Sequence, residues 1–177
     1  LGFYATSQLV RDLREHDIEV RPADVNHSDW NCTLEQHDEA LALRLGLRLV
    51  LGLPQSAAET LVTERQQRGE FRSLTEFTTR TRLPPAQVAK LSAANAFASL
   101  GRDRRAMLWE ALAQKPHDQE RPLLGLLEAS DEPAVPLPSL APRQQVLADY
   151  RTTGLSLQAH PLSFVRKELN VLKVVRA

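Results

Sequence analysis

The apolar positions of this chain recur mostly at the three- and four-residue spacing of amphipathic helices. Leu9, Val10 and Leu13 predict a first helix, and a series of short helices follows between residues 46 and 114. Alternating positions in "IEVRPADVN" predict one short strand, and Pro22 indicates where that strand ends. We therefore expect a mainly α protein that has a small α+β part near its start.

Residues 41–51, "LALRLGLRLVL", fit two structures. Their apolar residues alternate as in a strand, but the segment also runs directly into the next turn, as a short helix would. Periodicity alone does not decide between the two.

The helices of the middle region have recognisable ends. Gly69 predicts the end of one helix, and Ser73 with Glu76 three positions later forms a capping-box pattern at the start of the next. Pro85 suits the first turn of a third helix, because the backbone NH that proline lacks would have no partner there.

The last helix of this region, "RDRRAMLWEALAQ", is expected to place Met107, Leu108 and Leu112 on one apolar face. Trp109 and Phe97 also fall on apolar helical faces, where core packing is more common than base stacking. We therefore expect both aromatic rings to be buried.

A proline-rich segment, residues 116–142, contains six prolines and scattered acids, a composition that disfavours both helix and core. We expect a linker there. A helix should follow, with Pro142 near its start and Gly154 after its end. The closing "NVLKVVRA" reads as the beginning of a strand.

Composition excludes several classes of protein. The chain has 177 residues, 42% of them hydrophobic, which is enough for one or two small domains with real cores. The chain has a single cysteine, Cys32, which rules out a disulfide framework and leaves no cysteine spacing for a zinc site. We expect Cys32 to be a small buried residue. The absence of a disulfide framework favours a cytoplasmic protein. No apolar run approaches the roughly 20 residues of a membrane span. Asn26, His27 and Asp29 resemble a hydrogen-bonded loop more than a metal site or a general base.

The formal net charge of zero conceals a segregation of charge. Residues 1–40 carry three basic and nine acidic side chains, whereas residues 41–105 carry eleven basic and five acidic ones. A basic region inside a neutral chain is typical of a nucleic-acid-binding module. An ordinary solvated, arginine-rich surface is the alternative.

The Gly-Leu-Pro turn at residues 52–54 joins an apolar run to a helix that opens on Ser56, Ala57 and Ala58. A helix that begins at such a turn presents unpaired NH groups, which suit an anion such as a phosphate. A second tight connection, Ala94 to Phe97, lies about 43 residues further on. A single turn of this sequence is also compatible with an ordinary connection between helices. The presence of two such turns is what favours phosphate binding.

Four stretches together resemble bacterial C-family DNA polymerases. They are "GFYATSQLVRDLREHDIEVRPADVNHSDWNCTLE", "GLPQSAAETLVTERQQRGEFRSLTEF", "LSAANAFASLGRDRRAMLWEA" and "DYRTTGLSLQAHPLSF". The segments "HSDWNCTLE" and "YRTTGLSLQAHPL" resemble the error-prone branch of this family most, the DnaE-type enzymes of SOS mutagenesis that are also called ImuC.

The resemblance implies a division of the chain, which lacks an initiator Met and reads as part of a larger protein. Residues 1–45 would be the C-terminal part of the polymerase fingers, and residues 46–114 a tandem helix-hairpin-helix domain. Residues 115–142 would be the linker, and residues 143–177 a helical segment that leads to an OB-fold. The catalytic carboxylates of this family lie in the palm, so no catalytic site and no cofactor are expected in these residues.

The implied function is non-sequence-specific binding of double-stranded DNA during translesion synthesis, through hairpin amides and basic side chains. The expected contact residues are Arg48, Gly52, Leu53, Gln55, Ser56, Lys90, Asn95, Ala96, Arg102, Arg104 and Arg105. The alternative is a protein-interaction scaffold that docks an accessory subunit of the mutasome. The segment Gln119 to Leu127 loosely matches the peptides with which polymerases bind the sliding clamp.

Both hairpins depart from the family pattern. The first usually reads Gly-hydrophobic-Gly, and Pro54 stands here at the second glycine, so one NH donor is missing. The second tends to read Ala-Gly-Ala-Phe, and Asn95 replaces its glycine. Asparagine tolerates positive φ better than most residues, so we expect that turn to survive.

Overall fold

The computed structural model describes residues 4–37, 40–113 and 137–174, and within them the chain is mainly helical, as expected. The elements run in the order α1 (Thr6–Glu15), β1 (Glu19–Arg21), β2 (Thr33–His37), β3 (Ala40–Arg44), a 3-10 helix (Leu47–Leu49), α2 (Gln55–Arg68), α3 (Leu74–Thr81), α4 (Pro85–Ala93), a 3-10 helix (Ala98–Leu100), α5 (Arg104–Ala113), α6 (Pro142–Thr153), a 3-10 helix (Pro161–Val165) and α7 (Arg166–Val171). None of these helices is both long and apolar enough to cross a bilayer.

The described strands form one small sheet in the order β1-β3-β2. β3 pairs in parallel with β1 and antiparallel with β2, and β1 ends at Arg21, directly before Pro22. The ambiguous segment 41–51 contains both structures that its pattern allows, because β3 ends at Arg44 and a 3-10 helix begins at Leu47. Gly46 lies between them, where a Cβ would meet the Asn31 carbonyl carbon at 2.4 Å.

The ends of α2, α3 and α4 confirm the predicted signals. Gly69 closes α2 with a φ of +80°. Ser73 caps α3 by accepting the NH of Glu76 at 3.1 Å, whereas the Glu76 carboxylate accepts the NH of Arg72 and not that of Ser73, so half of the expected capping box forms. Pro85 is the first residue of α4.

The main core lies between α2, α3, α4 and α5. Three phenylalanine rings, Phe71, Phe77 and Phe97, meet edge to face in it, with centroids 4.9 Å apart in each neighbouring pair. Val25 is fully buried in the same core, so the core extends across the boundary expected at residue 45.

The loop that follows β1 is fixed to the helical region by buried hydrogen bonds. The Asn26 amide donates to the Phe71 carbonyl at 2.9 Å and accepts the Phe71 NH at 2.8 Å. The Asp24 carboxylate accepts the NH of Ser99 at 2.9 Å, and Arg65 donates to the carbonyls of Val25 and Ser28. This loop therefore supports the connection that follows α4.

Several sequence expectations were wrong. Trp109 is 63% exposed and Leu112 is 67% exposed, because α5 turns Met107, as expected, and Ala111 toward the core. Cys32 is exposed, and its sulfur accepts the NH of Gly46 at 3.3 Å.

The closing segment also differs from expectation, because "NVLKVVRA" begins inside α7, which continues to Val171. The predicted helix from Pro142 to before Gly154 is confirmed as α6. The clamp-like segment, Gln119 to Leu127, lies outside the described residues, as does most of the expected linker.

Candidate functional site

The first turn of the candidate site lies between the 3-10 helix at Leu47–Leu49 and α2. Its flanks are fixed by two hydrogen bonds, from the Leu51 NH to the Thr152 carbonyl at 2.8 Å and from the Leu53 NH to the Val50 carbonyl at 3.1 Å. Gly52, at the tip, has a φ of +73°, a backbone conformation that L residues with a side chain rarely adopt. The sequence thus supplies glycine where the backbone requires it.

Three NH groups at this turn donate no hydrogen bond within the described residues: those of Gly52, Gln55 and Ser56. Gln55 and Ser56 are the first two residues of α2, where no carbonyl lies one turn earlier to accept them. All three residues are exposed. The turn therefore presents a group of backbone donors at the positive end of a 14-residue helix.

A positive side chain from α4 reaches the same turn. The ammonium of Lys90 donates to the Gly52 carbonyl oxygen at 2.6 Å. A Cβ added to Gly52 would lie 3.0 Å from this nitrogen. A full positive charge thus stands beside the free NH groups, and an anion at the turn would meet both kinds of donor.

The second connection, Ala94 to Phe97, has a different hydrogen-bond pattern. Asn95 adopts a φ of +59°, as expected. However, its NH donates to the Ser92 carbonyl at 3.0 Å, and the NH of Ala96 donates to the Leu91 carbonyl at 2.9 Å. These two bonds form a Schellman cap at the end of α4.

The second turn also faces the interior. Ala96 is completely buried, and its carbonyl accepts the NH of Val25 at 2.8 Å. The expectation that Asn95 and Ala96 offer amides to a phosphate is therefore wrong, because these amides already have partners. Leu53, in the first turn, is likewise buried with its NH bonded, so it anchors the turn.

The start of α5 carries its own anion. The Asp103 carboxylate accepts the NH of Arg105 at 2.8 Å. This backbone hydrogen bond, more than any other influence, lowers the pKa of Asp103 and keeps the carboxylate charged. The helix end that follows the second turn is thus occupied by a side chain, unlike the start of α2.

Besides Lys90, three of the expected basic side chains are exposed. Arg48 donates to the Asn31 side-chain oxygen at 3.2 Å, and Arg105 to the Pro138 carbonyl at 3.3 Å. Arg102 forms an ion pair with Glu110. Each remains accessible to a ligand that could compete for these surface contacts.

Arg104 does not belong to this surface. It is 9% exposed, and its guanidinium donates to the Ala93 carbonyl at 2.7 Å and to the Asp149 carboxylate at 2.6 Å. A third bond runs to the Thr152 hydroxyl at 3.1 Å. The prediction of a ligand role for Arg104 is therefore corrected: it fixes α6 to the helical core.

Two residues that position the turn were missed from the sequence, Asp149 and Thr152. Thr152 accepts both the Leu51 NH, through its carbonyl, and Arg104, through its hydroxyl. No local pattern identifies such a role, because the partners lie far apart in the chain. Over the described ranges, no group of three or more His, Cys, Asp and Glu residues could hold a metal ion.

Two pairs of helices, each joined by a tight turn, are the arrangement of helix-hairpin-helix proteins. A family model described as the helix-hairpin-helix motif matches residues 17–107, and the chain belongs to that family. The matched range includes the loop around Asn26, in agreement with the shared core.

The chain is similar to proteins named error-prone DNA polymerase. It is 41% identical to the one from Rhodopirellula baltica over 179 residues, which cover 100% of this chain and 16% of that protein. The identity is 43% to that of Brucella abortus, over 96% of the chain and 16% of the relative. It is 40% to that of Sinorhizobium medicae, over 100% of the chain and 18% of the relative. The chain therefore spans less than a fifth of the length of these relatives.

Proposed function

We propose that these residues form a duplex-DNA-binding region of an error-prone DNA polymerase, which contacts phosphates without reading sequence. The single observation that carries the proposal is the first turn, where the free NH groups of Gly52, Gln55 and Ser56 stand beside the Lys90 ammonium. Backbone donors and a cation recognise phosphate and not base edges, so they give affinity without sequence preference.

The proposed grip is unequal between the two motifs. The first turn supplies backbone donors, whereas the second turn has its amides bonded internally and serves to support the fold. Exposed side chains, Arg48, Arg102 and Arg105, would add countercharge around the first turn. The proposed contact is therefore smaller than one made by two equivalent hairpins.

The relatives' name supports the wider setting. Their printed name, error-prone DNA polymerase, leads us to propose that the duplex is one produced by mutagenic translesion synthesis in the bacterial cytoplasm. Catalysis would then be supplied by other parts of such a polymerase.

A salt titration of the 177-residue chain against labelled duplexes of unrelated sequence tests this proposal. The expected result is similar affinity for each duplex, with a log-log salt slope between about −2 and −4, since about −0.9 is contributed by each neutralised phosphate. The absence of salt-sensitive duplex binding would refute the proposal.

Gln55→Pro tests the amides directly. Proline at the first position of a helix removes the NH without disturbing the helix, and Pro84-Pro85 at the start of α4 already has this arrangement in the chain. Loss of one phosphate hydrogen bond should weaken duplex binding about tenfold. Gln55→Ala, which keeps the NH, is the matched control and should bind like the wild type.

The alternative function is a scaffold that docks an accessory subunit of the mutasome. It predicts that the chain captures the partner polymerase subunit, that Gln55→Pro leaves this capture intact, and that duplex affinity is absent. The two variants at position 55 therefore separate the two functions in one experiment.

A further inference from the structure

The face of α5 that points away from the core carries a large aromatic residue, Trp109, that is 63% exposed in the described part of the chain. Arg104, Met107 and Ala111 are buried on one side of this helix, whereas Arg105, Trp109 and Leu112 are exposed on the other. Tryptophan is rarely this exposed in a folded protein, because its apolar area is large. Since α5 is already packed through its other face, the core does not account for Trp109.

The charge of this face suits a polyanion. Arg105 precedes Trp109 by one helical turn, and among the described residues its guanidinium donates to the Pro138 carbonyl at 3.3 Å and lies close enough to Asp103 to interact with its charge. Within α5, the face that carries Arg105, Trp109 and Leu112 holds no acidic residue. Glu110, on a neighbouring face of the helix, is paired with Arg102. The indole NH adds a donor beside an apolar ring, which suits a sugar next to a phosphate.

The position of α5 in the tandem motif points to the same partner. α5 follows the second turn and packs against α4, the helix whose Lys90 reaches Gly52. Because the NH groups of Asn95 and Ala96 are bonded internally and Asp103 caps the start of α5, side chains are the contacts that the second motif offers most readily to a duplex extending from the first.

We propose that Arg105 and Trp109 form a second, side-chain contact to the DNA duplex, in which Trp109 packs against a deoxyribose and Arg105 binds the adjacent phosphate. This inference rests on the proposed function. It adds Trp109 as a contact residue and replaces the second set of hairpin amides with side chains of α5.

The test uses the 177-residue chain labelled with 5-fluorotryptophan, which gives one ¹⁹F resonance for Trp30 and one for Trp109. Trp109→Phe assigns the two resonances. In the free protein the Trp109 resonance should shift between H₂O and D₂O, as an exposed ring does. Saturating duplex should abolish that solvent shift at Trp109, whereas Trp30, which packs against the core, should not change.

Affinity measurements complete the test. Trp109→Ala should weaken duplex binding about 5- to 30-fold, and Trp109→Phe should restore part of the loss, since aromatic contacts to nucleic acid are worth this order of affinity. Tyr4→Ala, at an aromatic residue that is 71% exposed elsewhere, is the control and should bind normally.

Four outcomes would overturn the inference. A wild-type chain that binds duplex while the Trp109 resonance keeps its solvent shift would exclude the contact and leave the proposed function standing. Unchanged affinity of Trp109→Ala would do the same, and a Trp109 resonance already shielded in the free protein would indicate that another part of the chain covers the ring. Absence of duplex binding by the wild type would remove the proposed function and this inference together.

Discussion

The ammonium of Lys90 lies 2.6 Å from the carbonyl oxygen of Gly52 and so links a helix of the second motif to the turn of the first. The two residues are 38 positions apart. This contact places a positive charge beside three backbone NH groups that donate no hydrogen bond to any other described residue. The two motifs therefore contribute to one candidate binding turn: the first motif supplies the backbone NH groups, and the second supplies the Lys90 ammonium.

Lys90→Gln should weaken duplex binding, because it removes that charge while keeping a side chain of similar length. We expect the log-log salt slope to become less steep by about 0.9, the contribution of one phosphate contact. The slope, measured by fluorescence anisotropy between about 50 and 200 mM salt, separates this loss from a general loss of fold.

Arg68→Gln is the control for Lys90, since it removes an exposed positive charge from the far end of α2. It should leave the salt slope close to the wild-type value. Equal effects of the two substitutions would indicate that net charge, and not the position of Lys90, determines binding.

Gly52→Ala should lower both stability and duplex affinity. A φ of +73° is unfavourable for alanine, which costs about 1 kcal/mol or slightly more. The added Cβ would also lie 3.0 Å from the Lys90 ammonium and displace it from the turn. Urea unfolding measures the first effect and duplex titration the second.

Gly154→Ala is the matched control for Gly52, because its φ is +77° and nothing lies within 4 Å of an added Cβ. We expect a similar loss of stability with unchanged duplex affinity. If Gly154→Ala weakened binding as much as Gly52→Ala, the local role of the Gly52 turn would be disproved.

Short-range signals predicted much of this structure and failed where distant residues decide. The end of α2 at Gly69, the cap at Ser73 and the start of α4 at Pro85 each depend on a few neighbouring residues, so the sequence was sufficient. The burial of Arg104 depends on Asp149, 45 residues later, which no local pattern reveals.

The difference between the two turns was also missed, although it is decided locally. Both read as tight connections between helices, and both have a residue with positive φ at the tip, Gly52 and Asn95. Whether the NH groups of Asn95 and Ala96 are free depends on how α4 ends, because the carbonyls of Ser92 and Leu91 accept them only in this form of helix cap. Hydrophobic periodicity also misplaced Trp109, because α5 buries smaller residues on its packed face.

Arg104→Met should destabilise the protein by about 2–4 kcal/mol, since it removes the guanidinium hydrogen bonds to Ala93 and Asp149 and leaves the partly buried Asp149 carboxylate with the Ser156 hydroxyl as donor. Adding Asp149→Leu should recover much of this loss, because two apolar residues can replace a buried ion pair. Urea unfolding of the single and double variants measures both effects. Under conditions where the double variant is folded, its salt slope should equal that of the wild type; a reduced slope would restore Arg104 as a phosphate contact.

Glu35 should make stability depend on acid pH. Its carboxylate bonds to Arg44 at 2.8 Å and to Arg21 at 3.0 Å, and the Arg44 hydrogen bonds are the main cause of its lowered pKa. A lowered folded-state pKa means that the contribution to stability is complete above the ordinary value of 4.5 and is lost as pH falls through the folded-state value. Glu35→Gln should therefore be less stable than wild type near pH 7, and the difference should shrink as the pH is lowered toward 3.

Glu59→Gln, at an exposed carboxylate of α2, is the control for this pH series. Its difference from the wild type in urea unfolding should stay small across the range. A difference for Glu35→Gln that does not change with pH would show that the ion pairs of the sheet contribute nothing through charge.

Asn95→Gly and Pro54→Gly each introduce the glycine that the family pattern has at that position. The first substitution should raise stability without changing duplex affinity, and the second should raise duplex affinity and lower stability. Asn95→Gly should stabilise the protein by about 0.5–1 kcal/mol, because glycine adopts the φ of +59° without strain. It should not change duplex affinity, since the amides of that turn already donate to α4 carbonyls.

Pro54→Gly should do the reverse at the first turn. It adds an NH beside those of Gly52 and Gln55 and should raise duplex affinity several-fold, while the more flexible unfolded chain costs up to about 1 kcal/mol of stability. Duplex titration and urea unfolding of both variants check the four expectations. Because the two substitutions introduce the same residue, one in each turn, a gain of affinity from Asn95→Gly but not from Pro54→Gly would mean that the assignment of the binding turn is inverted.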